Sequence, residues 1–240
     1  HAGERGVAPL VLTLGDPRES AREMAILGLA IAAEAAIPSL TDVIVGHDAR
    51  AAEGASRALA DMGALGAPVL ANALLAAPTS GVADALVDLG RRDPALALSV
   101  LAAPGAPSRP QVAALLSRMG APMRLALIEE LGRPGSPAAD LAIDMLAESP
   151  DRDPAVVVAL TRALGDPRVR VRVRADAALS RLGAEAVPLM LRTAAAEPEL
   201  QGRVIEIASR SPGVVIDATL VTALLQVMRR ADPETRRAAA

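Results

Sequence analysis

No cysteine, phenylalanine, tryptophan, tyrosine or lysine occurs in the 240 residues of this chain. Without cysteine there are no disulfides and no thiolate-ligated metal. Without aromatic rings there is no platform on which single-stranded bases could stack. The two histidines, one of them at position 1, are too few for a multi-histidine metal centre. The 25 basic residues are all Arg and are outnumbered by 28 acidic ones. The resulting net charge of −3 offers no global attraction for nucleic acid. What the chain has in excess is alanine, 54 residues, beside 18 Gly and 19 Pro. That bias suits GC-rich codons or a designed chain. Alanine is depleted in strands and is the best helix former, so the composition points to helices.

The pentapeptide Leu-Gly-Asp-Pro-Arg occurs at Leu14–Arg18 and again at Leu164–Arg168, 150 residues apart, five times thirty. Other markers keep the same period. A Leu stands nine residues before a Pro at Leu29/Pro38, Leu59/Pro68 and Leu179/Pro188. Looser copies place further anchors at Leu86, Leu116, Leu146 and Ala208, so that successive anchors lie 27 to 33 residues apart. Periods of this length signal stacked supersecondary units. The irregular spacing argues against a designed array.

Each unit reads as two helices. Asp16-Pro17 and Asp166-Pro167 read as helix starts, with Asp accepting free backbone N–H groups and Pro at the first helical position. About fifteen residues later a glycine such as Gly63, Gly90, Gly120 or Gly183 stops the first helix. Pro38, Pro68 or Pro188 opens a shorter, more apolar second helix. Val171, Ala175, Ala178, Leu179 and Leu182 recur at three- and four-residue intervals and form one apolar stripe. The run Arg168–Arg174 alternates like a strand, but its place in the repeat makes it helical. Pro110 shortens the helix that follows Ser108. The expected core includes Leu29, Leu59, Leu86, Leu116, Leu146, Leu179, Leu182 and Val187. With no aromatics to accommodate, the helices should sit close together.

The order Asp-Pro, Val-Arg, an Ala-rich stretch, Leu-x-x-Leu-Gly and Val-Pro is clearest at Asp166-Pro167, Val171-Arg172, Ala178-Leu179, Leu182-Gly183 and Val187-Pro188. It resembles the HEAT repeat, in particular the short bacterial form called phycobilisome-lyase HEAT-like. The resemblance implies an all-α fold. It would be an α-solenoid of about seven antiparallel helix pairs over residues 1–240, with the second helices lining a concave face. Val7-Ala8-Pro9-Leu10 aligns with a second-helix start. Asp232-Pro233 aligns with a first-helix start that runs into the terminus. The expectation is therefore a segment of a longer chain cut within repeats at both ends, whose location no targeting signal reveals; a cytoplasmic one is weakly favoured.

Several features are candidate sites. Thirteen residues after successive anchors stand Asp42, Asn72, Ser99, Glu129 and Arg192, with Arg162 taking the same place in the longer fifth repeat. They form a ladder of one polar residue per second helix, suited to an extended peptide or a helix lying along it. The same positions would equally serve as ordinary solvated ones. Arg168, Arg170, Arg172, Arg174 and Arg181 could form an anion patch. Their alternative is a solvated face, with Arg172 packing on a neighbour or pairing with a carboxylate such as Asp166 or Asp176. Asp84/Asp88, Asp140/Asp144 and Glu129/Glu130 are paired carboxylates, but nothing beside them supplies the third group or contrasting environments that acid–base catalysis needs. The iron-binding HEAT-type hydroxylases use paired His-Glu motifs, and this chain has none. His47 reads as a solvated loop residue. The uncharged run from Met62 to Ala83 meets the length of a membrane span, yet its prolines and glycines fit the repeat better. The reading is a non-enzymatic protein-binding scaffold, part of a larger assembly, with no cofactor, metal or membrane span, and with nucleic acid and small molecules disfavoured as partners. Its alternatives are a lyase or accessory subunit acting on a tetrapyrrole-bearing protein, and an anion or nucleic-acid binder.

Overall fold

The structure, a computed structural model, describes residues 2–103, 105, 107–133, 135–147, 153–211, 221, 222 and 225. Among these every regular element is helical, and there is no strand. The α-helices are α1 (Ala2–Thr13), α2 (Glu19–Ala32), α3 (Ile37–Val45), α4 (Ala49–Asp61), α5 (Ala67–Ala76), α6 (Ser80–Arg92) and α7 (Pro94–Leu101). They continue as α8 (Arg109–Met119), α9 (Ala121–Gly132), α10 (Ala139–Ala147), α11 (Pro154–Ala163), α12 (Val169–Leu182), α13 (Val187–Ala196) and α14 (Gln201–Arg210). The fold is all-α. The strand-like alternation of residues 168–174 lies at the start of α12, where helix packing overrides it.

The chain divides into two compact units, His1–Met123 and Arg124–Ala240. In the first, α2, α4, α6 and α8 pack side by side as one row, and α1, α3, α5 and α7 as a second. Pairs such as α3–α4 and α5–α6 close the space between the rows. In the second unit α10, α12 and α14 form one row, α11 packs on α13, and α11–α12 and α13–α14 join the two.

The repeat anchors fill the space between rows. Leu29, Leu59, Leu86, Leu116, Leu146, Leu179 and Val187 are all buried. Leu182 is only half-buried, at the last residue of α12, and Ala208 of α14 likewise. Small residues do allow close approach: a Cβ built on Gly81 of α6 would lie 3.2 Å from the backbone of Glu53 in α4.

Local signals differ in detail from their reading. Pro38, Pro68 and Pro188 sit in the first turn of α3, α5 and α13, as expected. Asp16-Pro17 and Asp166-Pro167 do not begin their helices. Each forms a turn just before, and the N-cap residues are Arg18 and Arg168. Gly63, Gly120 and Gly183 adopt positive φ at helix ends. Gly90 does not stop its helix: α6 runs on to Arg92, and Gly90 packs against Met119 of α8 instead. Ala33, in the place of those stop glycines, has φ 48°. Pro110 stands in the first turn of α8, an eleven-residue helix, so it opens the helix rather than interrupting it. Pro9 lies inside α1 rather than at its start. The helix start read at Asp232-Pro233 lies outside the described residues.

Residues 62–83 are not one helix but the end of α4, the ten-residue α5 and the start of α6. Among the described residues one stretch, Glu19–Val45, is long and apolar enough to cross a membrane by composition. It is α2 and α3 joined by a 3-10 turn that opens at Ala33, whose backbone departs from helical geometry.

Candidate functional site

All six ladder residues are solvent-exposed, one on each of α3, α5, α7, α9, α11 and α13. Around Asn72, Arg162 and Arg192 the adjacent residues are buried, as Leu70, Ala71, Ala73 and Leu74 are around Asn72. In the first unit Asp42, Asn72 and Ser99 follow one another along the packed row α3–α5–α7. Exposed Val45 and Leu75 stand one helical turn beyond Asp42 and Asn72. The Ser99 hydroxyl donates to the Leu96 carbonyl at 2.7 Å, as serines on helix surfaces commonly do.

In the second unit the ladder is charged. Glu129 and Arg162 line one open groove of about 550 Å³ between α9 and α11, floored by Ile128, Ala155, Val158 and Ala159. Arg162 donates through Nε to Glu197 Oε1 at 2.8 Å. Arg192 lies on the next helix of the row, α13, and is exposed.

The Arg run on α12 is mostly engaged within the chain. Arg168 grips Asp166 with two parallel bonds, Nε to Oδ1 at 3.0 Å and Nη2 to Oδ2 at 3.1 Å. Arg172 Nη1 donates to the carbonyl oxygens of Asp166 and Pro167, both at 2.9 Å. Arg172 therefore caps the turn through its carbonyls rather than pairing with the Asp166 or Asp176 carboxylate. Arg174 Nη1 donates to Asp144 Oδ1 at 2.7 Å. Arg170 reaches Asp140 only at 3.8 Å and is exposed, as is Arg181. The five do not converge on one point where an anion could sit.

The first pentapeptide builds the same clasp. Arg18 Nε and Nη2 donate to Asp16 Oδ1 and Oδ2 at 3.1 and 3.0 Å, and Arg22 Nη1 donates to the carbonyls of Asp16 and Pro17. Hydrogen bonding from Arg18 holds the Asp16 carboxyl down at about 2. For the buried Asp166, loss of hydration works against ionisation. Bonds from Arg168 and from the Gly135 N–H, at 3.1 Å, outweigh it, so that carboxyl too is lowered.

Most of the paired carboxylates are likewise tied up, in a pattern not read from residue order. Arginines on one first helix bridge to acids on the helix before it. The pairs are Arg57–Glu23 at 2.7 Å, Arg92–Asp61 at 2.8 Å, Arg118–Asp84, Arg174–Asp144 at 2.7 Å and Arg210–Asp176 at 3.2 Å. Asp140 adds a longer contact to Arg174 at 3.7 Å, and Asp88 one to Arg91 at 3.5 Å. Glu130 takes Arg133 and the Ser136 hydroxyl on its two oxygens, at 2.7 and 2.6 Å. A signal was available: Glu23/Arg57, Asp84/Arg118, Asp140/Arg174 and Asp176/Arg210 are each an acid followed by Arg 34 residues later. His47 is exposed in the loop before α4, beside Asp48, whose carboxylate caps that helix.

No protein-family model matches the chain, and a search of curated proteins finds no relative.

Proposed function

We propose that this chain is a HEAT-like α-solenoid scaffold that binds a protein segment along its second helices and performs no catalysis of its own. The observation that carries this reading is the ladder. Six polar residues, predicted from register alone, all stand in solvent on successive second helices. In each unit the rows those helices form would present them at regular intervals. The groove at Glu129 and Arg162 is wide enough for side chains of an extended segment or helix, and its floor is apolar with charges at the rim, as interfaces are built. Of the carboxylate pairs, Asp84, Asp88, Asp144 and Glu130 each meet an arginine.

The test is affinity capture of partners by this chain and by a triple variant, Asn72→Arg, Glu129→Arg and Arg192→Glu. All three positions are exposed, so the melting temperature should move little. The scaffold reading expects a stoichiometric protein captured by the parent and lost by the variant. Equal capture by both would remove the ladder from the binding surface, and a bilin or nucleic acid in place of a protein would overturn the reading.

A further inference from the structure

In the second unit α9 shares a groove with α11, and α11 packs on α13. Each of the three carries a charged ladder residue, and folding has balanced only the middle one. Arg162 on α11 donates to Glu197 at 2.8 Å. Arg133, on the rim of the same groove, is held by Glu130 at 2.7 Å. Glu129 on α9 and Arg192 on α13 are exposed, and among the described residues neither has a hydrogen-bond or ion-pair partner. A carboxylate at one side and a guanidinium at the other thus stand without a counter-charge. The groove floor beside Glu129 is apolar, with Ile128 and Val158 facing each other across it.

The spacing sets the size of what spans them. Two steps between packed helices, each about 8–10 Å, make about 20 Å. An extended polypeptide rises about 3.3 Å per residue and covers that distance in about six residues, every second side chain pointing the same way. An α-helix is about 10–12 Å across with its side chains, as wide as the gap between neighbouring axes, and would ride above the apolar floor.

Resting on the scaffold reading, we infer that the α9–α11–α13 face takes an extended segment of a partner protein that carries a basic and an acidic residue about six positions apart, with apolar residues between. The basic side chain meets Glu129, the apolar ones cover Ile128 and Val158, and the acidic one meets Arg192. A segment with two like charges is repelled at one end of the face, which is where its selectivity comes from.

The probe is the heptapeptide Arg-Ser-Leu-Ser-Leu-Ser-Asp, blocked at both termini and titrated into the chain at low salt, with the Ile128 methyl signal followed by NMR. The expected result is a saturable shift. Peptides with Arg at both ends or Asp at both ends should bind about fivefold more weakly. Glu129→Arg should make the double-Asp peptide the preferred one, and Arg192→Glu the double-Arg peptide. Both positions are exposed, so neither change should disturb folding. An unmoved Ile128 signal would overturn the proposal, and so would equal binding of all three peptides or a preference that neither variant alters. Partner capture by the unaltered chain, lost in the triple variant, would leave the scaffold reading standing in each of those cases.

Discussion

The two units each contain one Leu-Gly-Asp-Pro-Arg, and the two copies fold into the same clasp in different surroundings. Asp16 keeps about a fifth of its side chain in solvent, while Asp166 is buried and also accepts the Gly135 N–H from the preceding repeat. The ladders differ as well. In the first unit it is Asp42, Asn72 and Ser99 beside exposed Val45 and Leu75; in the second it is Glu129, Arg162 and Arg192. A repeat thus dictates where a side chain stands, while its neighbours decide what that place does. The clasp is a local turn in one unit and a tie between repeats in the other.

The comparison can be broken first at what the units share. Leu59→Ala and Leu179→Ala, one in each, should both cost about 2–5 kcal/mol in chemical denaturation, because both sites are fully buried and enclosed. Leu182→Ala should cost distinctly less, since its side chain is half in water. An unequal pair of anchors would mean that the register fails in one unit. Asp166→Asn comes next, at about 1–3 kcal/mol, through a buried bidentate partner lost and the Arg168 guanidinium left unmatched. Asp16→Asn should have a visibly smaller effect, and equal effects would deny Asp166 its role between repeats.

Acid sharpens the same contrast. Both carboxyls are lowered in the fold, so each stabilises the protein fully above its unfolded value of about 3.9. The contribution is lost as the pH falls from there through the folded value, about 2 for Asp16. Melting temperature should therefore drop between about pH 4 and pH 2. Each Asn variant should flatten part of that drop, and a profile unchanged in both would remove the clasps from acid sensitivity.

Ala33→Gly should stabilise by about 1 kcal/mol, because φ 48° strains alanine where Gly63, Gly120 and Gly183 adopt positive φ freely. A loss of stability on that change would mean that the Ala33 methyl is needed for packing. The smallest effect belongs to the arginine bridges between first helices. They are half-exposed pairs worth about 0.2–1 kcal/mol each. Arg57→Met should lower the melting point slightly at low salt and hardly at all at 1 M. A large, salt-independent loss would reveal packing by the arginine stem instead.

Much of this was legible in residue order. The helical class, the burial of most of the anchors and the exposure of the ladder residues follow from periodicity, propensity and the placement of Pro and Gly. The errors have local causes. Asp-Pro was read as a helix start, but its carboxylate bonds the Arg18 or Arg168 N–H and side chain, so it builds a turn and the helix opens two residues later. Gly90 was read as a stop, but Met119 lies against it, and the value of that bare Cα is in packing. Leu182 was assigned to the core from its stripe, yet it ends α12, where the covering layer runs out.

The run of arginines on α12 shows the division most clearly. That they lie on a helix was settled by their own chain. That Arg174 reaches Asp144 of α10, thirty residues back, depended on which helices folding made neighbours, whereas Arg168 and Arg172 only close a turn two to six residues away. Helix formation rests on interactions over three or four residues, so composition and spacing were enough to specify it. Ion pairs across thirty-four residues come into being only when helices become neighbours.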